Sequence, residues 1–276
     1  MSDSPRDFRE LPAGADIRLI ACDMDGTLLL PDGTIPARLW PLLDRLAARG
    51  VTFVPASGRQ FATLAGMFPG RSDSLSFIAE NGNLVVHRGE VLLSDSLPFP
   101  VVADVLGRVR ASDRNLGLVV CGRDSAWIED GGAAFVAEAR KYYASLEVVP
   151  DLGVPRGDVL KLAIFDREDS AITADTLLAD LADSQQVVVS GRHWVDIMNP
   201  CADKGRALRA LQDALGVSRE QTAAFGDYLN DLELLQSAGW SFAMANAHPD
   251  IRAAAAWSAP ANSEQGVIQV LESLLG

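Results

Sequence analysis

The sequence has few cysteines, no surplus of positive charge and no long apolar run, and each shortage removes a class of function. Its three cysteines, Cys22, Cys121 and Cys201, are odd in number and far apart. They fit neither a disulfide framework nor a cysteine metal site, so a reducing cytoplasm is the expected home. Lys and Arg number 24 against 37 Asp and Glu, a net charge of −13. Nonspecific nucleic-acid binding needs a basic surface, and this chain does not supply one. An anionic small molecule is still admissible, because a bound metal and a few cations can invert the field inside a cleft. No apolar run reaches the roughly 20 residues of a membrane span. Residues 1–16 are polar, charged and proline-containing. They lack a signal-peptide pattern and are expected to form a flexible tail.

What is present is a globular composition, 48% hydrophobic and 22% charged over 276 residues. That length suits one large or two ordinary domains. The most telling stretch is Asp23-Met24-Asp25-Gly26-Thr27, directly after the apolar run from Ile17 to Cys22. The run reads as a buried strand, so two carboxylates sit where a strand ends. In open α/β sheets ligands collect outside the carboxyl ends of the strands. Acids one residue apart repel each other unless a cation or a shared proton relieves them. A hard-metal site and an acid/base pair are both open on these residues, and so is an ordinary Asp-Gly turn.

Further strand ends carry chemistry of their own. Val51–Val54 reads as a strand that runs into Ser57-Gly58-Arg59 and then a helix. That is a plausible anion seat, or a plain capped turn. Between them, Thr34 and Pro36 read as opening a helix that carries Trp40, Leu43, Leu46 and Ala47 at helical spacing and ends at Gly50, with Pro41 expected to delay or bend it. Leu75–Ala79 and Leu84–Val86 flank a strong turn signal, Glu80-Asn81-Gly82-Asn83. Asp203 is a natural cap for a helix beginning at Lys204, where a cation is at odds with the helix dipole and sensible if it meets an anion. Thr222–Phe225 reads as a strand ending in Gly226-Asp227-Tyr228-Leu229-Asn230-Asp231. If a helix starts there, Asp227 and Asp231 share one face. Trp194–Met198 reads as apolar alternation resuming after the middle segment, and His248 as a surface turn residue. The middle of the chain mixes strand and helix patterns without any site-spaced acid or histidine cluster. Lys161 there is expected at an edge or in a salt bridge, and Trp127, Tyr142 and Tyr143 in a core or cleft wall. The pattern predicts an α/β protein, a doubly wound parallel sheet interrupted by a smaller α+β unit.

Taken in order, the paired carboxylate, the Ser-Gly, the lysine and the Asp-Asn-Asp cluster resemble the four motifs of the haloacid dehalogenase superfamily. Asn81-Gly82, Ala245-Asn246-Ala247 and Asn262–Val267 extend the resemblance to its Cof-type branch. The match covers residues 17–86 and 191–276, and covers the insert only by length and position. Tyr228 departs from it, standing where a smaller residue is common. The resemblance implies a Rossmann-like core over 17–86 and 191–276, with 87–190 as an inserted α+β cap that moves. It implies Mg²⁺ held by the Asp23 and Asp227 carboxylates and the backbone carbonyl of Asp25. Asp23 would be the nucleophile and Asp25 the general acid/base. Met24, Ser57, Gly58, Lys204 and Asn230 would hold phosphate, with Asp231 behind them as an anchor. The implied activity is a Mg²⁺-dependent phosphatase acting on a small phosphorylated metabolite through an aspartyl-phosphate. A phosphosugar mutase is an alternative that must shield its phosphoenzyme from water. A non-catalytic phosphate-binding or interaction protein is another, although binding alone requires no nucleophile. The substrate and the oligomeric state cannot be read from the sequence.

Overall fold

A computed structural model describes residues 5–12, 14–129 and 132–276. The chain folds as two compact units. One takes in the chain up to Gly58, Met67–Leu93 and Asp203–Gly276; the other takes in Arg59–Gly66 and Ser94–Ala202.

The first unit is built on a nine-stranded sheet. From one edge its strands are Arg6–Asp7, Trp257–Ala259, Trp240–Met244, Thr222–Gly226, Leu19–Asp23, Thr52–Ala56, Ser76–Ala79, Leu84–His87 and Glu90–Ser94. All pairings from the first edge to Ser76–Ala79 are parallel, and Ser76–Ala79 pairs antiparallel with Leu84–His87. From Leu19–Asp23 the chain winds outward one way through the strands up to residue 79. It later returns on the other side and winds the opposite way through Thr222–Gly226. The winding therefore reverses at Leu19–Asp23, the place where such sheets open a crevice at their carboxyl ends. All five residues of that strand are buried, which is why the run before Asp23 is continuously apolar.

Local sequence explains the supporting elements. The helix Leu39–Ala48 buries Leu39, Leu42, Leu43 and Leu46, one stripe at helical spacing. Pro41 falls in its first turn, where a missing N–H costs nothing, so the helix starts later instead of bending. The helix Lys204–Leu215 begins as its sequence predicts. Asp203 accepts from the Arg206 N–H at 2.6 Å, and Gly216 closes the other end in the left-handed region. The expected loose tail is corrected in part. Arg6–Asp7 adds an edge strand beside Trp257–Ser258, Phe8 is buried, and the Arg6 guanidinium lies 3.9 Å from the Trp257 ring centroid. Cation–π contact and one buried aromatic hold these residues against the sheet. Residues 1–4 and 13 of that tail lie outside the described residues.

The second unit has a six-stranded sheet in the order Gln186–Gly191, Trp194–Met198, Val159–Asp166, Leu116–Gly122, Ala126–Glu129, Leu146–Val149. The seams expected at residues 86/87 and 190/191 shift. Trp194–Met198 pairs on both sides inside this sheet, so it belongs to the inserted unit and not to the first sheet. Its apolar alternation is that of a central strand, a pattern that does not say which sheet it joins. Helix Phe99–Ala111 packs its Val102, Val105 and Leu106 into one core of this unit, and Phe135 and Ala139 of helix Ala133–Ala139 lie in another. Lys161 is not at an edge. It is buried on the inner strand Val159–Asp166, its ammonium 5.9 Å from the Tyr143 ring centroid. Trp127 and Tyr143 are core residues, whereas Tyr142 is half exposed.

One buried carboxylate staples this unit. Asp166 accepts from Arg114 Nη2 at 2.6 Å, Thr173 Oγ1 at 2.7 Å and the Glu168 N–H at 2.9 Å. Burial pushes its carboxyl up, but the Thr173 hydroxyl, the Glu168 amide and Arg114 together pull it below the ordinary value. Asp166→Ala should destabilise the inserted unit by about 1.5–3 kcal/mol, the range for hydrogen bonds to a charged group. Because the folded pKa lies below the unfolded one, this contribution is present above the unfolded value near 3.8 and is lost as pH falls through the folded value. Acid unfolding of wild type and variant, followed by circular dichroism, should converge at low pH. A constant gap between the two curves would mean that Asp166 acts only through packing.

Candidate active site

The strand register brings the site together. Asp23 lies opposite Ala56, so Ser57 follows at the same level. Cys22 lies opposite Phe225, which puts Gly226 level with Asp23 and Asp227 just beyond it. Gly226 in turn lies opposite Ala243, two residues before Ala245 and three before Asn246. Four parallel strands thus end along one line, and their polar tails meet there.

Lys204 is the centre of the buried charge. Its ammonium donates to Asp23 Oδ1 at 2.6 Å and to Asp231 Oδ1 at 2.7 Å, and all three side chains are buried. Burial alone would favour the neutral amine, but the charges of Asp23 and Asp231 and their hydrogen bonds outweigh it and hold the ammonium form. Asp23 is pushed well above the ordinary carboxyl value, first by burial and then by the nearby Asp231 charge, with Lys204 opposing both. Cys22 beside it is buried too, and burial raises its thiol well above the ordinary value, so it is inert as a nucleophile.

Asp227 faces this group from the next strand end. Thr27 Oγ1 donates to its Oδ1 at 2.8 Å, and burial pushes its carboxyl up. Asp25 and Gly26 have φ/ψ of −80/120° and 82/−8°, a type II turn, whose third position calls for glycine. Space demands glycine as well: a Cβ at Gly26 would lie 2.2 Å from Asp227 Oδ2. The peptide after Asp25 therefore runs directly against the Asp227 carboxylate.

Asp231 sits differently from its sequence expectation. Leu229–Asp231 is a 3₁₀ turn that precedes the helix Leu232–Gln236, so Asp227 and Asp231 do not share a helical face. Asp231 folds back, and its Oδ2 accepts from the N–H groups of Asp227 at 3.0 Å and Tyr228 at 3.3 Å. Its other oxygen is held by Lys204.

Oxygens of Asp23, Asp227 and Asp231 lie within 4.8 Å of one another, a cluster that could hold a metal ion. The donor set fits a hard divalent cation. Three carboxylates and one ammonium leave two negative charges in excess in a buried place, and one such cation offsets them. Asp231 already uses both oxygens on Lys204 and backbone amides, so in this cluster Asp23 and Asp227 are the carboxylates that could meet such a cation directly.

The remaining expected residues are placed as follows. Ser57 is buried, and its carbonyl accepts from the Asn81 N–H at 3.0 Å. Met24 is buried with its side chain in the core, so only its backbone can serve a ligand. Asp25 is exposed. Asn230 is exposed, and its Nδ2 donates to Asn81 Oδ1 at 3.3 Å. Asn81 is a site neighbour for which sequence reading gave no role. It stands in the left-handed region at φ 55°, and its carboxamide closes on Gly58, where a Cβ would meet Asn81 Oδ1 at 2.9 Å. Gly82, at φ 100°, leaves room for the start of the Lys204 helix, since a Cβ there would lie 2.3 Å from the Asp203 carbonyl oxygen. The signal for both was the turn cluster Glu80–Asn83. His248, read as a surface residue, uses its backbone N–H to hold the Asp227 carbonyl at 2.8 Å, and its ring lies edge-on to Tyr228.

The chain resembles known proteins over most of its length. The family model described as haloacid dehalogenase-like hydrolase matches residues 20–271. The 5-amino-6-(5-phospho-D-ribitylamino)uracil phosphatase YbjI of Escherichia coli K12 is 31% identical over 262 residues, covering 94% of this chain and 96% of that protein. The HMP-PP phosphatase of Cronobacter sakazakii is 30% identical over 239 residues, covering 86% of this chain and 87% of that one. Among solved structures, one from Eubacterium rectale superposes with a TM-score of 0.85 at 30% identity, covering 93% of this chain and 98% of the other. TM0651 from Thermotoga maritima superposes with a TM-score of 0.84 at 26% identity, covering 93% and 97%.

Proposed function

Because the chain belongs to the haloacid dehalogenase-like hydrolase family, and is a phosphoric monoester hydrolase within it, we propose that it hydrolyses a small phosphorylated metabolite through an aspartyl-phosphate on Asp23. The observation that carries this reading is the buried Lys204 ammonium bonded to Asp23 and Asp231. A cation so placed orients the Asp23 carboxylate and adds positive charge where a phosphoryl group would arrive.

In this reading Asp23 attacks phosphorus while the bond to the leaving oxygen breaks. Asp25 gives that oxygen its proton. The ionised Asp25 then takes a proton from water, which attacks the aspartyl-phosphate and releases inorganic phosphate and free Asp23. Asp25 is exposed in a turn, which suits a group that must exchange protons with substrate and water. Ser57, the Gly58 N–H, the backbone at Met24, Lys204 and Asn230 supply donors for the phosphate oxygens. Mg²⁺, held by Asp23, Asp227 and the Asp25 carbonyl, would neutralise charge between the carboxylates and the phosphate dianion. Asp231 keeps Lys204 and the Asp227 backbone in place.

Both curated relatives are named for phosphorylated small molecules, and we assign this chain a substrate of that class. We assign substrate selectivity to the inserted unit. Among the described residues no helix is long and apolar enough to cross a membrane. The three scattered cysteines fit a reducing compartment, and we place the reaction in the cytoplasm.

A phosphate-release panel of phosphorylated metabolites, run with Mg²⁺ and with excess chelator, tests the proposal. Turnover should vanish on chelation and return with Mg²⁺. Asp227→Ala should need far more Mg²⁺ for half-maximal activity, by more than the roughly 10- to 100-fold that follows loss of a group merely supporting a metal ligand. Full turnover in chelator would remove the metal from the reaction.

A further inference from the structure

We propose that Asn246, backed by Asn262, is a positioning residue that holds the Asp25–Gly26 turn in its working geometry. The two asparagines form a chain of hydrogen bonds along that turn. Asn246 Nδ2 donates to the Gly26 carbonyl at 2.8 Å. Asn246 Oδ1 accepts from the Asn262 N–H at 3.1 Å. Asn262 Nδ2 donates to the Leu29 carbonyl at 2.8 Å. The wound segment Met24–Leu28, closed by the Leu29 N–H to the Met24 carbonyl at 2.8 Å, is therefore gripped in its middle and at its far end.

The turn that carries Asn246 also grips the second acidic loop. The His248 N–H donates to the Asp227 carbonyl at 2.8 Å, and the Ala247 N–H closes the turn onto the Met244 carbonyl at 2.9 Å. One short turn thus fixes the Gly26 backbone with a side chain and the Asp227 backbone with an amide. Thr27 to Asp227 links the two loops directly as well. Asn246 acts at the Gly26–Thr27 peptide, the one that closes the turn begun at Asp25, and the acid does its work only if that turn stays put. Gly26 makes such a brace necessary. A glycine loses more freedom on ordering than any other residue, and this type II turn is built on one. Asparagine suits the task because one carboxamide both donates and accepts along a line.

The inference rests on the phosphatase reading for its kinetic consequence but not for its structural one, and the experiment reads both. Hydrogen exchange is measured on metal-free wild type, Asn246→Ala, Asn262→Ala and the double variant. Amides in the Met24–Leu29 segment should exchange about 5- to 10-fold faster in each single variant, as expected for the loss of one hydrogen bond worth about 1 kcal/mol. Amides in the Leu39–Ala48 helix should be unaffected, and the melting temperature nearly so. The double variant should add little to either single one, because the two side chains act as a unit. With substrate and Mg²⁺, kcat should fall about 10- to 100-fold while KM changes little, the signature of a displaced group. Unchanged exchange in Met24–Leu29 would overturn the brace. Faster exchange everywhere would reduce both residues to general stability. Faster local exchange with unchanged kcat would show that the turn is braced but that its geometry does not matter to the reaction. If no phosphate ester is turned over by wild type, the exchange data still decide the brace, and the phosphatase reading fails separately.

Discussion

Asp23→Asn will form no phosphoenzyme and release no phosphate from any ester. An amide is no useful nucleophile towards phosphorus, and it is a poorer ligand for a hard cation. The fold should survive the change, since Asn retains an acceptor for Lys204 at the position of Oδ1 and Asp231 still pairs with that ammonium. Asp25→Asn should behave differently. The backbone at residue 25 is kept, and only the proton carrier is lost. General acid–base help is worth about 10²–10⁴-fold, so an alkyl phosphate should slow by that order. Nitrophenolate needs little protonation to leave, so transfer from nitrophenyl phosphate should suffer less. Breakdown of the aspartyl-phosphate still needs the base and becomes limiting. Rapid-quench kinetics of Asp25→Asn should then show a burst of about one nitrophenol per enzyme before a slow steady state. A burst from Asp23→Asn, or equal losses for both ester types in Asp25→Asn, would show that these two roles are assigned wrongly.

The residues that were legible in the sequence are those whose signal is local. An apolar run ending in Asp23-Met-Asp25-Gly26-Thr27 states both a buried strand and an acidic end, and burial of Leu19–Asp23 gives that run its physical cause. Lys204 was legible because a cation at a helix start is at odds with the dipole, and its anions prove to be Asp23 and Asp231. What was not legible depends on distant partners. The position of Asp231 follows from a 3₁₀ turn that a four-residue spacing does not distinguish from a helix. The tie from Asn246 to Gly26 joins residues 220 apart, and a turn sequence carries no trace of it. Arg6–Asp7 gains its order from Trp257 at the other end of the chain. The strand Leu146–Val149 leaves little local signal, because it is four residues long, lies at a sheet edge and has Glu147 and Val148 exposed. Trp194–Met198 was identified as apolar and alternating, but its neighbours in the inserted sheet were beyond any local pattern.

Lys204→Met should abolish phosphate release and also weaken the fold, and the two losses should respond differently to metal. The ammonium is 1% exposed and bonded to two carboxylates, of which Asp231 is fully buried. Methionine has nearly the same length and packs without strain, so the change removes charge and little volume. It leaves Asp23 and Asp231 facing each other and Asp227 with no cation among them. Breaking a buried ion pair from one side typically costs about 3–5 kcal/mol, because the abandoned charge stays in a place that water does not reach. Metal-free Lys204→Met should therefore melt well below metal-free wild type. A divalent cation binds the folded acidic cluster and not the unfolded chain, so it stabilises both proteins by mass action. With Lys204 gone, that cation is the only positive charge left for the cluster, and Mg²⁺ should raise the melting temperature of the variant more than that of wild type. Activity should not return with it, since the metal relieves repulsion among the carboxylates but does not replace the ammonium that orients Asp23. Differential scanning calorimetry with a Mg²⁺ series, beside phosphate-release assays on the same samples, reads both arms. A variant as stable as wild type without metal would mean that the Asp23–Lys204–Asp231 network is not buried as described. A variant that regains turnover with Mg²⁺ would mean that Lys204 does no more than balance charge.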